Sequence, residues 1–193
     1  MVVTVAAALN CLEVVALGSL NVAEAGATTH NIEDDTGGDD PAKRGVINSI
    51  YIDTESLSVH NAELQKMYAE VRANEQMWEE YKLEDAEYVI TAFGTVARIA
   101  KSAIDQLREE GIKVGLVRPI TVWPFPYDAV KKAACADGVK AVLDVELNEG
   151  QMLEDVKLAI NGAKPVDFFG HLGSEMPTTD EIVAKIKSMK EGM

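Results

Sequence analysis

The sequence predicts an α/β fold, a three-layer α/β/α arrangement around a mostly parallel sheet that is preceded by a long helix. Two observations support this prediction. Over residues 88–126 the hydrophobic period changes from that of a strand to that of a helix and back, with glycine at both changes. Beyond residue 126, short apolar runs and amphipathic stretches continue to alternate, which is typical of parallel strands joined by helical crossovers.

A β-α-β unit occupies the first of these stretches. An apolar run at residues 88–93 ends at Gly94, and a second run at residues 112–117 follows Gly111, which is placed as a left-handed helix cap. Between the two runs, apolar side chains recur at helical spacing, with charged residues on the opposite side. They are Val96, Ile99, Ala100, Ala103, Ile104 and Leu107. A crossover of this length predicts that the two strands are parallel.

The elements that follow repeat this order. The sequence patterns predict a helix at 127–136, a strand at 139–146, a helix at 151–161 and a strand at 166–169. Thr178 and Glu181 are spaced as a capping box, which predicts the start of the last helix. The sequence therefore predicts a sheet of about four parallel strands.

The ends of the first two strands form the candidate site. Gly94, Thr95 and Arg118 should lie on one edge of the sheet, because loops after parallel strands converge there. The N–H groups of a helix N-terminus could bind an anion at Gly94, and the favoured alternative is a tight turn with Thr95 as N-cap. Arg118 could bind a carboxylate or phosphate with two hydrogen bonds, and the favoured alternative is an ion pair with Glu146.

Other polar and aromatic positions are explained more simply by structural roles. Asn148 lies near a predicted helix start, where capping is its commonest role. Residues 123–126 alternate aromatics and prolines, which is typical of a rigid packed loop. His171 has no accompanying nucleophile or paired base in the sequence, so we expect a loop histidine. The sequence thus offers no catalytic residue.

Composition and charge narrow the choice of partners. The net charge of −14, from 18 basic and 32 acidic residues, argues against nucleic acid or an anionic membrane surface as partner. The two cysteines, Cys11 and Cys135, lack the C-x-x-C spacing, and we expect buried thiols in a reducing cytoplasm. The three histidines are scattered, so no metal site is expected. No apolar run reaches transmembrane length.

The N-terminal part of the chain differs from the rest. Residues 1–45 combine an Ala/Val/Leu-rich start, which lacks the basic beginning of a signal peptide, with an acidic, glycine-containing run that predicts a linker. Residues 46–85 are interpreted as a strand at 46–52 and a long connecting helix, and residues 86–193 as the α/β domain. We expect no secretory leader.

The long helix is predicted over residues 58–82. Its apolar stripe consists of Leu64, Met67, Val71 and Trp78, and charged residues cover the opposite face. Two interpretations remain open for this stripe. The helix is either a solvated brace for the domain or an arm that grips another subunit.

Several long segments resemble a known family. They are GTVARIAKSAIDQLREEGIKVGLVRPITVWPFP, VELNEGQMLEDVKLAINGAKPVDFFGHLG and PTTDEIVAKI. They are similar to the C-terminal region of the alpha subunit of 2-oxoacid:ferredoxin oxidoreductases, in particular the 2-oxoisovalerate type. The resemblance runs from about residue 45 to residue 193, and residues 1–44 show no clear match.

The resemblance implies a fold like the transketolase C-terminal domain and a role in a larger enzyme. Such an enzyme decarboxylates a 2-oxoacid on thiamine diphosphate and Mg²⁺, passes electrons through iron–sulfur clusters to ferredoxin, and forms an acyl-CoA. The resemblance places these cofactors on other subunits or domains, with none in this chain. We expect an oligomer located in the cytoplasm. This region would serve subunit packing and the shape of the active-site entrance. The isolated chain is expected to be inactive, and the alternative is a non-catalytic binding or assembly module.

Overall fold

The structure, a computed structural model, describes residues 52–173 and 175–192. The chain divides into two compact units, with the boundary between Asn74 and Glu75. Two predictions lie outside the described residues. They are the N-terminal segment with its linker at residues 1–45, and all but the last residue of the strand at 46–52.

The first unit contains helix α1, Thr54–Asn74. The Asp53 carboxylate accepts the N–H of Ser56 at 2.8 Å at its start, and the Asn74 amide donates to the carbonyl of Glu70 at 2.8 Å at its end. No residue of α1 is buried. The predicted helix at 58–82 was therefore wrong beyond Asn74. Whether residues 46–85 form a unit of their own stays a prediction.

The second unit is built on a five-stranded sheet. Its strands are β1 (Trp78–Tyr81), β2 (Tyr88–Ala92), β3 (Val114–Pro119), β4 (Ala141–Glu146) and β5 (Val166–Gly170). They lie in the order β1-β3-β2-β4-β5, and β2, β3, β4 and β5 are parallel to one another. The four predicted parallel strands are confirmed. Strand β1, which pairs with β3 in antiparallel orientation, was not predicted.

Trp78 thus lies in an edge strand and not on the stripe of a helix. It pairs with Pro119, and the register continues to Tyr81 opposite Leu116. In this strand, exposed and half-buried residues alternate, which is the strand period. The pairing gives the backbone of residues 78–81 hydrogen bonds along β3, so these residues leave the helical period of α1.

Helices cover both faces of the sheet. They are α2 (Gly94–Glu109), α3 (Tyr127–Ala134), α4 (Gln151–Ile160) and α5 (Thr179–Glu191). Helices α2 and α5 pack on one face of the sheet and form one apolar core with it. Helices α3 and α4 pack on the other face and form a second apolar core. The predicted three-layer α/β/α architecture is confirmed, as is the capping box of Thr178 and Glu181 that opens α5. None of the helices that the structure describes is long and apolar enough to span a bilayer.

The alternation of side chains along the strands decides which residues meet. Ile90 and Leu143 pack into the α2/α5 core, whereas Val89 and Val142 pack into the α3/α4 core. Because every second residue faces the same side, Thr91 of β2 and the two acids of β4, Asp144 and Glu146, face α3 and α4.

Cys135 is a free thiol that packs against the same core. It is half-buried, whereas the sequence predicted a buried thiol. Cys11 lies outside the described residues.

Candidate functional site

The chain reverses its direction of winding between β2 and β4. The connection from β2 leads to β3 on one side, and β4 and β5 lie on the other, so the carboxyl ends of β2 and β4 form the topological switch point. In open α/β sheets, ligands bind in the crevice at such a point. Here Thr91, Asp144 and Glu146 occupy it, and all three are fully buried.

Asp144 is a buried carboxyl group with one partner. Its Oδ1 accepts the hydroxyl of Thr91 at 2.5 Å, while its buried Oδ2 has no hydrogen-bond partner among the described residues. Burial raises the pKa of Asp144 to about 9, and the neighbouring Glu146 adds to the rise. Asp144 is therefore a neutral carboxylic acid at physiological pH.

Glu146 has the opposite surroundings. Its carboxylate accepts the main-chain N–H groups of Met152 and Leu153 at 2.9 Å each, in the first turn of α4. The amide of Asn148 donates a third bond at 2.9 Å. Negative charge at a helix N-terminus is favourable, because the unpaired N–H groups and the helix dipole both attract it. Glu146 thus fixes the start of α4 against the end of β4.

Asn148 completes this arrangement. Its Oδ1 accepts the N–H groups of Gly150 at 2.7 Å and Gln151 at 2.9 Å, which confirms the predicted capping role. Gly150 holds the N-cap position with φ of 94°, a left-handed conformation that glycine adopts without strain. The loop between β4 and α4 is therefore tied at both ends. The polar groups of the protein itself therefore fill the switch point. Glu146 and Asn148 order the loop, and neither Asp144 nor Glu146 is exposed to act as an acid or base.

Replacing Asp144 with asparagine should stabilise the protein at alkaline pH. An aspartate in an unfolded chain loses its proton near pH 4. Asp144 keeps its proton up to a pKa of about 9 in the folded state, so the free energy of unfolding falls as pH rises between these values. Asparagine keeps an acceptor for Thr91 and has no such proton to lose. We expect a gain of about 1–2 kcal/mol at about pH 8 and little change at about pH 4.5, measured by urea denaturation.

The matched control for this variant is Asp105→Asn. The hydrogen bond from Lys82 holds the pKa of Asp105 below its usual value, so this carboxylate adds stability above its unfolded pKa. Replacing Asp105 should therefore lower the free energy of unfolding at about pH 8, whereas Asp144→Asn should raise it. An equal difference between Asp144→Asn and wild type at both pH values would contradict a protonated Asp144.

The candidate anion site lies at the same edge of the sheet. Gly94 has φ of 58° and Thr95 is exposed, at the start of α2. The N-cap is Phe93 and receives no side-chain hydrogen bond, so the prediction of Thr95 as N-cap was wrong. The helix already begins at Gly94, two residues before a cap at Thr95 would allow, so Thr95 lies in the first turn of α2. Anion binding by Gly94, Thr95 and Arg118 stays a prediction.

Arg118 forms an ion pair, as the favoured alternative predicted, but the predicted partner was wrong. Its Nη1 lies 3.0 Å from the Glu79 carboxylate, which also binds Lys101. Arg118 follows Leu116 at the strand period and so faces the α2/α5 side, whereas Glu146 faces the other side. Glu79 stands directly opposite Arg118 in the β1–β3 register. The partner was missed because β1 was not predicted.

The two other predicted structural positions lie at this edge. In the loop at 123–126, Phe125 is buried and its ring packs edge-on against Tyr127 at 4.9 Å between centroids, which confirms the packed loop. His171 follows β5, half-buried, with Glu175 at 3.7 Å and Glu181 at 3.5 Å. Among the described residues, no cluster of three His, Cys, Asp or Glu side chains could hold a metal ion.

The buried acids Asp144 and Glu146 were missed as site residues. The signal was present in the sequence AVLDVE, where two acids occupy alternate positions of an otherwise apolar run. Such spacing places both carboxyl groups on one face of a strand. A buried strand with two acids on one face predicts either a protonated acid or helix N–H partners, and the structure contains both.

These features define a class of protein: a doubly wound α/β domain with helices on both faces and a switch point closed by its own side chains. The family model of pyruvate:ferredoxin oxidoreductase core domain II matches residues 86–182, half of the chain. The chain belongs to this family, and the predicted resemblance is confirmed.

Characterised relatives point to the same group of enzymes. The ketoisovalerate oxidoreductase subunit VorB of Methanothermobacter marburgensis is 40% identical over 146 residues, covering 76% of this chain and 41% of that protein. The 2-oxoglutarate synthase subunit KorA of Methanocaldococcus jannaschii is 33% identical over 130 residues, covering 66% of this chain and 34% of the KorA protein. The chain thus spans about two fifths of the VorB protein.

A solved structure supports the fold. The 2-oxoglutarate:ferredoxin oxidoreductase of Magnetococcus marinus, determined with 2-oxoglutarate, coenzyme A and succinyl-CoA bound, superposes with a TM-score of 0.58. The match has 20% sequence identity and covers 75% of this chain and 25% of that one. At this identity the likeness concerns the fold, and it confirms the predicted α/β domain.

Proposed function

We propose that the chain is a subunit, or part of a subunit, of a 2-oxoacid:ferredoxin oxidoreductase that converts 2-oxoisovalerate to an acyl-CoA. The observation that carries the proposal is the 40% identity to a ketoisovalerate oxidoreductase subunit over 76% of the chain. The match of residues 86–182 to a ferredoxin oxidoreductase core domain supports the reaction class. A non-catalytic assembly module with the same fold is the less favoured alternative.

In this proposal the domain organises the complex, and other subunits or domains carry the chemistry. Thiamine diphosphate with Mg²⁺ would supply the decarboxylation chemistry, and iron–sulfur clusters would carry the electrons to ferredoxin. The acids at the switch point do not fit a Mg²⁺-diphosphate site, because both Glu146 oxygens accept N–H bonds and Asp144 is neutral and fully buried. This supports a role in packing and in shaping the active-site entrance.

The partners follow from the reaction. They would be the other subunits of the oxidoreductase, with ferredoxin and CoA reached through the complex, in an oligomer located in the cytoplasm. The relatives carry the word subunit in their names, which supports assembly with other chains.

Reconstitution tests the proposal. We expect CoA-dependent reduction of ferredoxin with 2-oxoisovalerate only when this chain is co-expressed with the remaining subunits and domains of the enzyme, including those that bind thiamine diphosphate. The value of kcat/KM for 2-oxoisovalerate should exceed that for pyruvate by about 10-fold or more, since side-chain contacts discriminate on this scale. The chain alone and the complex without it are the controls. A complex that assembles but oxidises no 2-oxoacid, or one equally active without this chain, would contradict the proposal.

A further inference from the structure

An exposed apolar surface lies at the carboxyl ends of β4 and β5. Leu147 directly follows β4 and is 36% exposed, and Leu172 follows β5 and is 59% exposed. Met176, in the same loop as Leu172, is 42% exposed. With the exposed acids Glu149 and Glu175 these residues form what we name the β4–β5 patch.

The loops that carry the patch are held in place. The N–H of His171 donates to the carbonyl of Glu146 at 3.2 Å, which joins the two loops at their bases. Gly170 passes so close to the other loop that an added Cβ would stand 2.5 Å from the carbonyl oxygen of Asn148. The Glu146 and Asn148 bonds fix the first loop to the start of α4. A surface that is ordered before it binds loses little entropy on association.

The charges around the patch have one sign. Glu149 and Glu175 are exposed, the Glu175 side chain by 83%, and Asp180 in the first turn of α5 is exposed as well. The described residues of 147–149 and 171–180 contain no lysine or arginine. Lysines instead stand before the parallel strands at the opposite edge, as Lys113, Lys140 and Lys164 do. The same face of a second copy would be repelled, whereas a basic surface would be attracted.

We propose that the β4–β5 patch docks another subunit of the oxidoreductase, through a surface with apolar side chains at its centre and lysine or arginine at its rim. This inference rests on the proposed function, because it takes the partner from the same complex. Leu147, Leu172 and Met176 supply the apolar contact, and Glu149 and Glu175 supply the charge complementarity that selects the partner.

The test is co-purification of the tagged full chain with the remaining subunits, co-expressed, followed by binding measurements at two salt concentrations. The charge variant is Glu149→Lys with Glu175→Lys, and the apolar variant is Leu147→Ala with Leu172→Ala. Each is expected to weaken binding by about 10-fold or more, and salt should weaken wild-type binding but not binding by the charge variant.

Matched controls come from surfaces away from the patch. Glu109→Lys with Glu191→Lys makes the same change in net charge at the opposite edge, and Leu158→Ala removes a 66% exposed side chain from α4. Both should bind within about twofold of wild type. If wild type binds and both patch variants bind equally well, this inference is wrong and the proposed function stands. If wild type does not bind the other subunits, both fail. Patch-dependent self-association of the isolated chain would also overturn it, because the occupant would then be a second copy.

Discussion

Replacing Glu146 with alanine is expected to lower the free energy of unfolding of the α/β domain by about 3–5 kcal/mol. The variant leaves the N–H groups of Met152 and Leu153 and the Asn148 amide without the carboxylate that they bind at 2.9 Å. Glu146 is fully buried, so water does not replace the lost acceptor without opening the loop. Chemical denaturation followed by circular dichroism measures the change.

Two variants separate this effect from a general loss of acidic charge. Glu146→Gln keeps one acceptor oxygen and should cost less, about 1–3 kcal/mol. Glu149→Ala removes an exposed carboxylate three residues later and should change stability by less than about 0.5 kcal/mol. A Glu146→Ala variant as stable as Glu149→Ala would show that the start of α4 does not depend on this carboxylate.

The second large effect is expected at Gly115, in the interior of β3. An alanine Cβ there would stand 2.6 Å from the carbonyl oxygen of Lys82 and 2.8 Å from Cδ2 of Leu83. The carbonyl is main chain and accepts a bond from Arg108 at 2.6 Å, so it cannot move without breaking that contact. We expect Gly115→Ala to cost about 2–4 kcal/mol, measured by thermal and chemical denaturation.

Gly192→Ala is the control for this prediction. Gly192 has an ordinary φ of −85°, and the nearest atom to an added Cβ is 3.6 Å away. The control should stay within about 0.5 kcal/mol of wild type. If Gly115→Ala behaves like the control, the segment that carries Lys82 and Leu83 is not packed tightly against β3.

The parallel sheet and its helices were predictable because their signals are long and local. The apolar stripe of α2 extends over three turns, and the strands on either side are almost continuously apolar. Strand β1 was not predictable in the same way. It has only four residues, two of them glutamates. It also follows a helix whose apolar spacing continues to Trp78, so spacing alone predicts a longer helix. Its identity as a strand depends on β3, which lies far along the sequence.

The candidate site was predictable in position and less so in chemistry. Because strand ends converge, Gly94 and Arg118 could be placed at one edge without a structure. Which cation meets which carboxylate depends on the sheet face and on the register of β1, and neither is local information. Aspartate and glutamate are usually exposed residues. That Asp144 and Glu146 are both buried follows from the tertiary position of α4, which the sequence pattern does not give.

The order of the strands has a consequence for how the sheet is assembled. Strand β1 comes first in the chain, yet its pairing partners stand about 40 residues later, in β3. It can pair only when β3 is brought back to it, and closing the loop between them costs entropy before any contact is made. As the ribosome releases the chain from its N-terminus, residues 78–81 must wait, with Trp78 exposed, until β3 has been synthesised. Strand β1, the first strand to be synthesised, is therefore not the first to join the sheet.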